Sequence, residues 1–272
     1  MSQKEQSYQR DRVSFGVVAS AAVLALIVIV GLFVFIGRDD EKPGAAPPVA
    51  VASGGEGFAA ADTDIFGRRI DVPNNSAGQP LPQDPALQHN SADPDWLTAA
   101  PAGTTEPRGW QRVYGASVPF STSDGPTRIE DDLAVGYSHT PQGAALAAAQ
   151  ITYRLNARPA DRDLYVRQVR VSAQQIASYD QALASDRLPK QQPESITRYF
   201  TASDAFKIDD YADDLAIVRL ATRGPVVDGK QLWAAIRLVM VWDAGDWRLK
   251  PTSASAAAQS EYLETLQGWT LW

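Results

Sequence analysis

Residues 13–37 form the longest apolar stretch of the chain and contain no charged side chain. A helix rises by about 1.5 Å per residue, so these residues reach roughly 37 Å, whereas the hydrocarbon core of a bilayer is about 30 Å thick. The stretch therefore predicts a transmembrane helix. Gly16 and Ser20 lie four residues apart in it, a spacing of small residues that lets two helices associate closely. Small residues are also common in spans that do not self-associate, which is the simpler interpretation.

The charges on either side of this stretch indicate its orientation. Three basic residues, Lys4, Arg10 and Arg12, precede it, whereas the basic residues that follow are mixed with acidic ones. Because basic residues favour the cytoplasmic side, residues 1–12 are predicted to be a cytoplasmic tail on a single-pass cell-membrane anchor. A cleaved signal peptide with an Ala-x-Ala site at residues 50–52 is the alternative, but the apolar stretch is too long for it and the site lies too far away.

Residues 38–108 differ in composition from the rest of the chain. They contain ten of the eighteen prolines and show little apolar periodicity. Such a segment buries too little apolar surface to offset the entropy lost on ordering, so it predicts a disordered, Pro-rich tether. Within it, residues 64–70 are more apolar and form a candidate docking segment for a partner or for the protein's own domain. An apolar patch within a linker is the simpler interpretation.

Residues 109–272 have the periodicity of a folded domain outside the membrane. Thr140 and Pro141 mark the start of an Ala-rich helix, since Thr is a good N-cap and Pro is well tolerated at the first helical position. The helix is predicted to end before Pro159, and a second helix is predicted over residues 161–187.

Strands dominate the second half of this domain, where apolar and polar positions alternate. The links between these strands are too short for parallel crossovers, so the strands are predicted to be antiparallel, with a closing helix over residues 255–266. Helices followed by such strands predict an α+β domain with helices packed on one face of a curved antiparallel sheet. This order of elements resembles the nuclear-transport-factor-2-like cone. The predicted strands are 110–119, 133–138, 205–211, 215–223, 231–242 and 247–250.

Composition excludes several kinds of chemistry. The chain has no cysteine, which removes disulfides, thiolate metal sites and cysteine nucleophiles. Its net charge is −7, and an acidic excess argues against direct binding of nucleic acid, because phosphate contacts need clustered Lys and Arg. The sequence therefore predicts no cofactor, and no direct nucleic-acid partner.

His139 is the single histidine of the predicted domain and lies at the start of the helix. A proton-transfer role is one interpretation, but no Ser-His-Asp order or metal-ligand spacing surrounds it, so a structural role is favoured together with Thr140 and Pro141. The acidic cluster at residues 209–214 lacks EF-hand spacing and is interpreted as a solvated turn. No catalytic or metal-binding residue is predicted.

Arg219, Arg237 and Arg248 occupy apolar-flanked positions in three predicted strands. On a concave face they would be candidates for binding an anionic ligand or a partner's carboxylate. On the outer face they would form cross-strand ion pairs, which is the favoured interpretation.

Several motifs between residues 109 and 160 resemble a family of single-span membrane proteins of high-GC Gram-positive bacteria. The motifs are Trp110, Val118-Pro119, Gly125-Pro126 and the helix start at residues 139–144. That family often accompanies conjugative or integrative elements. The resemblance implies a role like that of the inner-membrane scaffold subunits of type IV secretion machines, which place a nuclear-transport-factor-2-like domain outside the membrane. It implies no catalytic residues.

We therefore expect a non-enzymatic scaffold or assembly subunit, anchored in the membrane and belonging to a conjugative DNA-transfer machine. Its expected partners are the bilayer, other proteins of a membrane complex and, as an alternative, a second copy of the chain. The competing hypothesis is an extracytoplasmic small-molecule-binding sensor or enzyme that uses the cavity of the cone.

Overall fold

The computed structural model describes residues 55–251 and 260–272. The predicted transmembrane helix at residues 13–37, including Gly16 and Ser20, lies outside the described residues, as do the predicted tail and the first part of the tether. In the part of the chain that is described, no helix combines the length and the apolar character needed to cross a membrane.

The described residues form short and long strands around one long helix. In chain order the strands are β1 (Asp62–Thr63), β2 (Arg69–Ile70), β3 (Trp110–Val113), β4 (Ala116–Pro119), β5 (Arg128–Glu130), β6 (Leu133–Val135), β7 (Ser203–Ala212), β8 (Leu215–Val227), β9 (Lys230–Asp243), β10 (Asp246–Lys250), β11 (Ser260–Leu263) and β12 (Thr270–Leu271). The helices are α1 (Pro141–Ala157), α2 (Arg162–Gln168), α3 (Ala173–Ala184) and α4 (Glu194–Thr197), and a 3-10 turn spans Pro85–Leu87.

Six strands form one antiparallel sheet. Five of them follow the order β10–β9–β8–β7–β12. The sixth, β11, also pairs with β9, along a part of β9 that β10 does not use. The longest strands, β8 and β9, are joined by a two-residue turn at Asp228 and Gly229. Both residues have positive φ (49° and 75°), as a tight hairpin turn requires, and an Asp-Gly pair adopts this conformation readily. The predicted antiparallel pairing of β7 to β10 agrees with this sheet.

The predicted fold class, with helices packed on one face of a curved sheet as in the nuclear-transport-factor-2-like cone, is wrong. The structure is mostly antiparallel strand with few helices. All 17 residues of α1 are buried, because α1 contacts β7, β8 and β10 of the large sheet and also β4 of a separate hairpin. Its alanines allow close approach on every side, and an alanine pattern does not distinguish one buried face from complete burial.

Two predicted helices also differ from the structure. The helix expected over residues 161–187 is divided into α2 and α3, because Val169 forms an isolated bridge with Leu249 of β10. The helix expected over residues 255–266 is replaced, in its described part, by β11, which pairs with β9. In both places strand pairing prevails over local helix propensity.

Residues 55–108 lie against the domain, which differs from the prediction of a disordered tether. The backbone of Asp71 bonds both to Trp110 and to Arg112 of β3, each with an N–O distance of 2.9 Å. Ile70 and Ala77 are buried. The folded part of the chain therefore begins well before residue 109.

Polar contacts to α1 explain why composition gave the wrong expectation for this segment. Gln142 of α1 donates to the carbonyl oxygen of Trp96 at 2.9 Å. Arg154 of α1, which is 1% exposed, donates to the carbonyl oxygens of Ala77 at 2.6 Å and Asp132 at 3.2 Å. Burial lowers the pKa of this guanidinium. Long-range hydrogen bonds to irregular backbone leave no periodicity in the sequence.

Candidate functional site

The helix start at Thr140 and Pro141 has the predicted geometry. The Thr140 hydroxyl oxygen accepts a hydrogen bond from the backbone N–H of Gly143 at 2.9 Å, and Pro141 is the first helical residue. The same hydroxyl donates to Oδ1 of the buried Asp124 at 2.6 Å. Thr140 is thus an N-cap and also a partner of a buried carboxyl group.

His139 is exposed, and it joins the helix start to the edge of the large sheet. Its imidazole stacks on the indole ring of Trp242, with 4.1 Å between ring centroids and 11° between ring planes. Its Nε2 is hydrogen-bonded to the carbonyl oxygen of Asp213, and the Tyr211 hydroxyl donates to its backbone oxygen at 3.0 Å. Among the described residues, no group of three or more potential ligands could hold a metal ion. The contacts of His139 thus connect the start of α1 to β9 and to the end of β7.

The three candidate arginines lie on the face of the sheet that points away from α1. Arg219 of β8 is the register partner of Arg237 of β9 on one side and of Lys207 of β7 on the other. Arg248 of β10 lies opposite Val241 in a different row. The structure therefore brings Arg219 and Arg237 together with Lys207, which sequence reasoning missed, and separates Arg248 from them.

The three arginines differ in how their charges are compensated. Arg219 forms ion pairs with Asp209 at 2.7 Å and with Glu261, and Arg248 pairs with Asp243 at 3.2 Å. Arg237 is exposed and forms no ion pair with any described residue. Arg237 is therefore the arginine of the three whose charge no described carboxylate compensates.

A row of apolar residues runs beside these cations. Ile217 of β8 lies opposite Val239 of β9, and Val239 lies opposite Lys250 of β10. Ile217 and Val239 are half-buried. We call the surface formed by Lys207, Arg219, Arg237, Ile217 and Val239 the basic face. Its mixture of cations and apolar side chains suits an acidic partner with apolar residues.

A groove of about 340 Å³ lies where the start of β7 meets the N-terminal segment and the end of the chain. Three tryptophans, Trp110, Trp233 and Trp272, line it together with Leu266 and Leu271. Its polar lining includes Arg68, Asp204 and Arg223. A volume of this size falls in the range of small-molecule sites, which is about 300–1,000 Å³.

Asp204 is the centre of the polar lining. The register of β7 with β8 shifts between Ser203 and Ala205, so Asp204 lies in an irregularity of the strand. Its carboxylate, 8% exposed, accepts hydrogen bonds from Arg68, from Nε of Arg223 at 2.9 Å and from Nε1 of Trp233 at 2.8 Å. Irregularities of this kind often redirect a side chain next to a binding site.

The segment at residues 64–70 docks onto the protein's own domain at this groove. Arg68 binds Asp204 and also donates to the carbonyl oxygen of Ala202 at 2.9 Å. The guanidinium groups of Arg68 and Arg223 both lie 5.4 Å from the ring centroid of Phe66. The apolar character of the segment was the one signal in the sequence that pointed to this site. Asp204 gave none, because a strand irregularity depends on pairing with β8.

Comparison with known proteins identifies a family for most of this chain. Residues 71–271 match the model of the family described as Domain of unknown function (DUF8175). No curated protein and no solved structure matches the chain. The matched range contains the basic face and most of the groove, whereas Arg68 and Trp272 lie just outside its two ends.

Proposed function

The chain belongs to the DUF8175 family, and we propose that it is a membrane-anchored, non-enzymatic scaffold subunit whose basic face binds an acidic protein partner. The observation that carries the proposal is the row formed by Lys207, Arg219 and Arg237 beside Ile217 and Val239. Three cations in one row are unexpected in a chain with a net charge of −7.

The charges of the basic face leave Arg237 available to an external anion. Arg219 is compensated by Asp209 and Glu261, whereas exposed Arg237 lies opposite it and has no acidic partner among the described residues. A partner carboxylate at Arg237 would form a charge-assisted hydrogen bond with its guanidinium group. The apolar row beside it would add contact area at the centre of the interface, where charged residues are usually depleted.

The cellular setting that we propose rests on sequence. The apolar stretch at residues 13–37 and the basic residues before it support a single-pass anchor with the domain outside the cytoplasm. The motifs around Trp110 and at residues 139–144 resemble proteins that accompany conjugative elements, which supports a DNA-transfer machine as the complex in question. The fold gives this setting no support, because the nuclear-transport-factor-2-like comparison is wrong.

The competing hypothesis remains a small-molecule-binding sensor or enzyme. The inner face of the sheet is covered by α1, and all residues of α1 are buried. A small-molecule function would therefore use another part of the surface, such as the groove around Asp204.

Site-specific photo-cross-linking tests the scaffold proposal. A benzophenone amino acid is placed at Val239 in the full chain, in cells that carry the neighbouring genes, with Gln174 on the exposed surface of α3 as the matched control position. We expect a cross-linked protein at Val239 that is absent at Gln174, and mass spectrometry should map it to an acidic segment of the partner. Arg237→Glu should remove it, whereas Lys190→Glu should not.

Each other outcome of this experiment has a definite meaning. Absence of cross-links at Val239, or cross-links that persist in Arg237→Glu, would refute the basic face as the binding surface. A cross-linked dimer of the chain itself would assign the face to a second copy instead of an acidic partner.

A further inference from the structure

We propose that the groove around Asp204 binds a small carboxylic acid with an apolar or aromatic body. This inference is independent of the basic face. It rests on three features of the groove: a buried charged group that orients an arginine, a guanidinium group with unused donors, and a wall of tryptophans.

The first feature is the hydrogen bonding of Asp204. Removing a carboxylate from water is costly, and a buried ion pair often adds no net stability compared with apolar packing. Here one carboxylate binds Arg68, Arg223 and the indole N–H of Trp233 together. The arrangement fixes the orientation of two groups that line the groove, and fixed orientation is what a binding site requires.

The second feature is the unequal use of the two guanidinium groups. Each of the three guanidinium nitrogens of Arg68 donates a hydrogen bond, to Asp64, to Asp204 and to the carbonyl oxygen of Ala202. Arg223 uses Nε for Asp204 at 2.9 Å, and its two terminal nitrogens make no hydrogen bond to any described residue. Its side chain is 36% exposed. A guanidinium group held at Nε with free terminal N–H groups is suited to a carboxylate.

The third feature is the apolar wall. Trp272 is held by a hydrogen bond from its Nε1 to the Ser203 hydroxyl oxygen at 2.9 Å, and its ring lies edge-on to Trp110 with 5.8 Å between centroids. Trp233 is held by Asp204. Because hydrogen bonds or ring contacts hold these indoles in place, a flat or apolar body can enter with little ordering cost.

These features together define the ligand. The two terminal nitrogens of Arg223, which are free to donate, favour a carboxylate. The indole rings, together with Leu266 and Leu271, favour an apolar or aromatic body. A volume of about 340 Å³ limits the ligand to a small molecule. The cation Arg69 also lines the groove and is well exposed, although it pairs with Asp71 at 2.6 Å.

Calorimetry on the full chain in mild detergent tests the proposal with 4-phenylbutanoate and its neutral analogue 4-phenylbutanamide. We expect saturable binding of the acid, with the amide at least about tenfold weaker because it lacks the charge that Arg223 recognises. Quenching of tryptophan fluorescence should report the same affinity. Equal affinity for acid and amide, or absence of binding by the acid, would overturn the proposal.

Variants locate the binding within the groove. Arg223→Met should reduce the affinity for the acid to that for the amide. Arg223→Lys should give an intermediate affinity, because lysine keeps the positive charge but cannot donate two parallel hydrogen bonds to a carboxylate. The matched control is Arg198→Met, at an exposed position outside the groove, which should bind the acid as the unmodified chain does. Undiminished binding by Arg223→Met, or equal loss in Arg198→Met, would refute the assignment. The comparison of acid with amide uses the unmodified chain and therefore holds even if a variant does not fold.

Discussion

Asp124 is buried beside the N-terminus of α1, and two hydroxyl groups donate hydrogen bonds to its carboxyl group. Ser123 donates to its Oδ2 at 2.5 Å and Thr140 to its Oδ1 at 2.6 Å. Burial raises its pKa above the ordinary value of 3.8, and these hydrogen bonds oppose the shift only in part. The folded protein therefore keeps the proton on Asp124 to a higher pH than the unfolded chain does.

The direction of the pH effect follows from this difference. A group whose pKa is higher in the folded state contributes stability below its unfolded value of 3.8 and loses that contribution as pH rises through the folded value. The side chain in Asp124→Asn is uncharged at every pH. The free energy of unfolding of this variant, relative to that of the unmodified chain, should therefore rise as the pH increases from 3.8 to the folded-state pKa of Asp124, and then stay constant. Urea unfolding of both proteins between about pH 3 and pH 7 measures the difference.

The comparison isolates Asp124 because both proteins contain the other titrating groups, including Asp246, whose pKa burial also raises. A difference in stability that does not change with pH would show that Asp124 titrates normally in the folded protein.

At the scale of residues, local chemistry was predictable and long-range chemistry was not. The cap at Thr140 and the placement of Pro141 depend only on neighbouring backbone, so the sequence predicts them. The contact of His139 with Trp242 and the three donors on Asp204 join residues far apart in the chain. The outer-face interpretation of Arg219 agrees with its position, since the period of two separates it from buried Val218 and Leu220.

At the scale of elements, the antiparallel strands β7 to β10 were predictable because one face is apolar and the turns are short. The role of α1 was not, because a helix buried on all sides needs a second covering layer. That layer consists of β3, β4 and residues 55–108, and it uses side-chain-to-backbone hydrogen bonds such as those of Arg154 and Gln142. Hydrogen bonds of this kind have no sequence period.

Limited proteolysis of the full chain with proteinase K tests whether this N-terminal layer is part of the folded unit. We expect the resistant fragment to begin before residue 62 and to retain Arg68, because residues 62–71 are held by Asp204, Ala202 and β3. Arg68→Ala should admit cleavage within residues 62–70, whereas Arg198→Ala, at an exposed position outside the groove, should leave the pattern unchanged. A resistant fragment that begins near residue 109 would restore the tether interpretation.

At the scale of the whole molecule, the proposed anchor determines on which side of the membrane the two proposed binding surfaces lie. The basic face and the groove belong to one described domain, so both must lie on the same side of the membrane if residues 13–37 cross it once. In the proposed topology that side is outside the cytoplasm, because Lys4, Arg10 and Arg12 favour a cytoplasmic N-terminus.

Cysteine labelling in intact cells tests this topology, because the chain has no cysteine of its own. A single cysteine at Lys190, which is exposed, should react with a membrane-impermeant maleimide in intact cells. A single cysteine at Ser7 should react only after permeabilisation, because the positive charges beside it favour the cytoplasm. The unmodified chain, which has no cysteine, is the control and should not be labelled. The reverse pattern would overturn the orientation, and labelling of both positions in intact cells would mean that residues 13–37 do not separate them across a membrane.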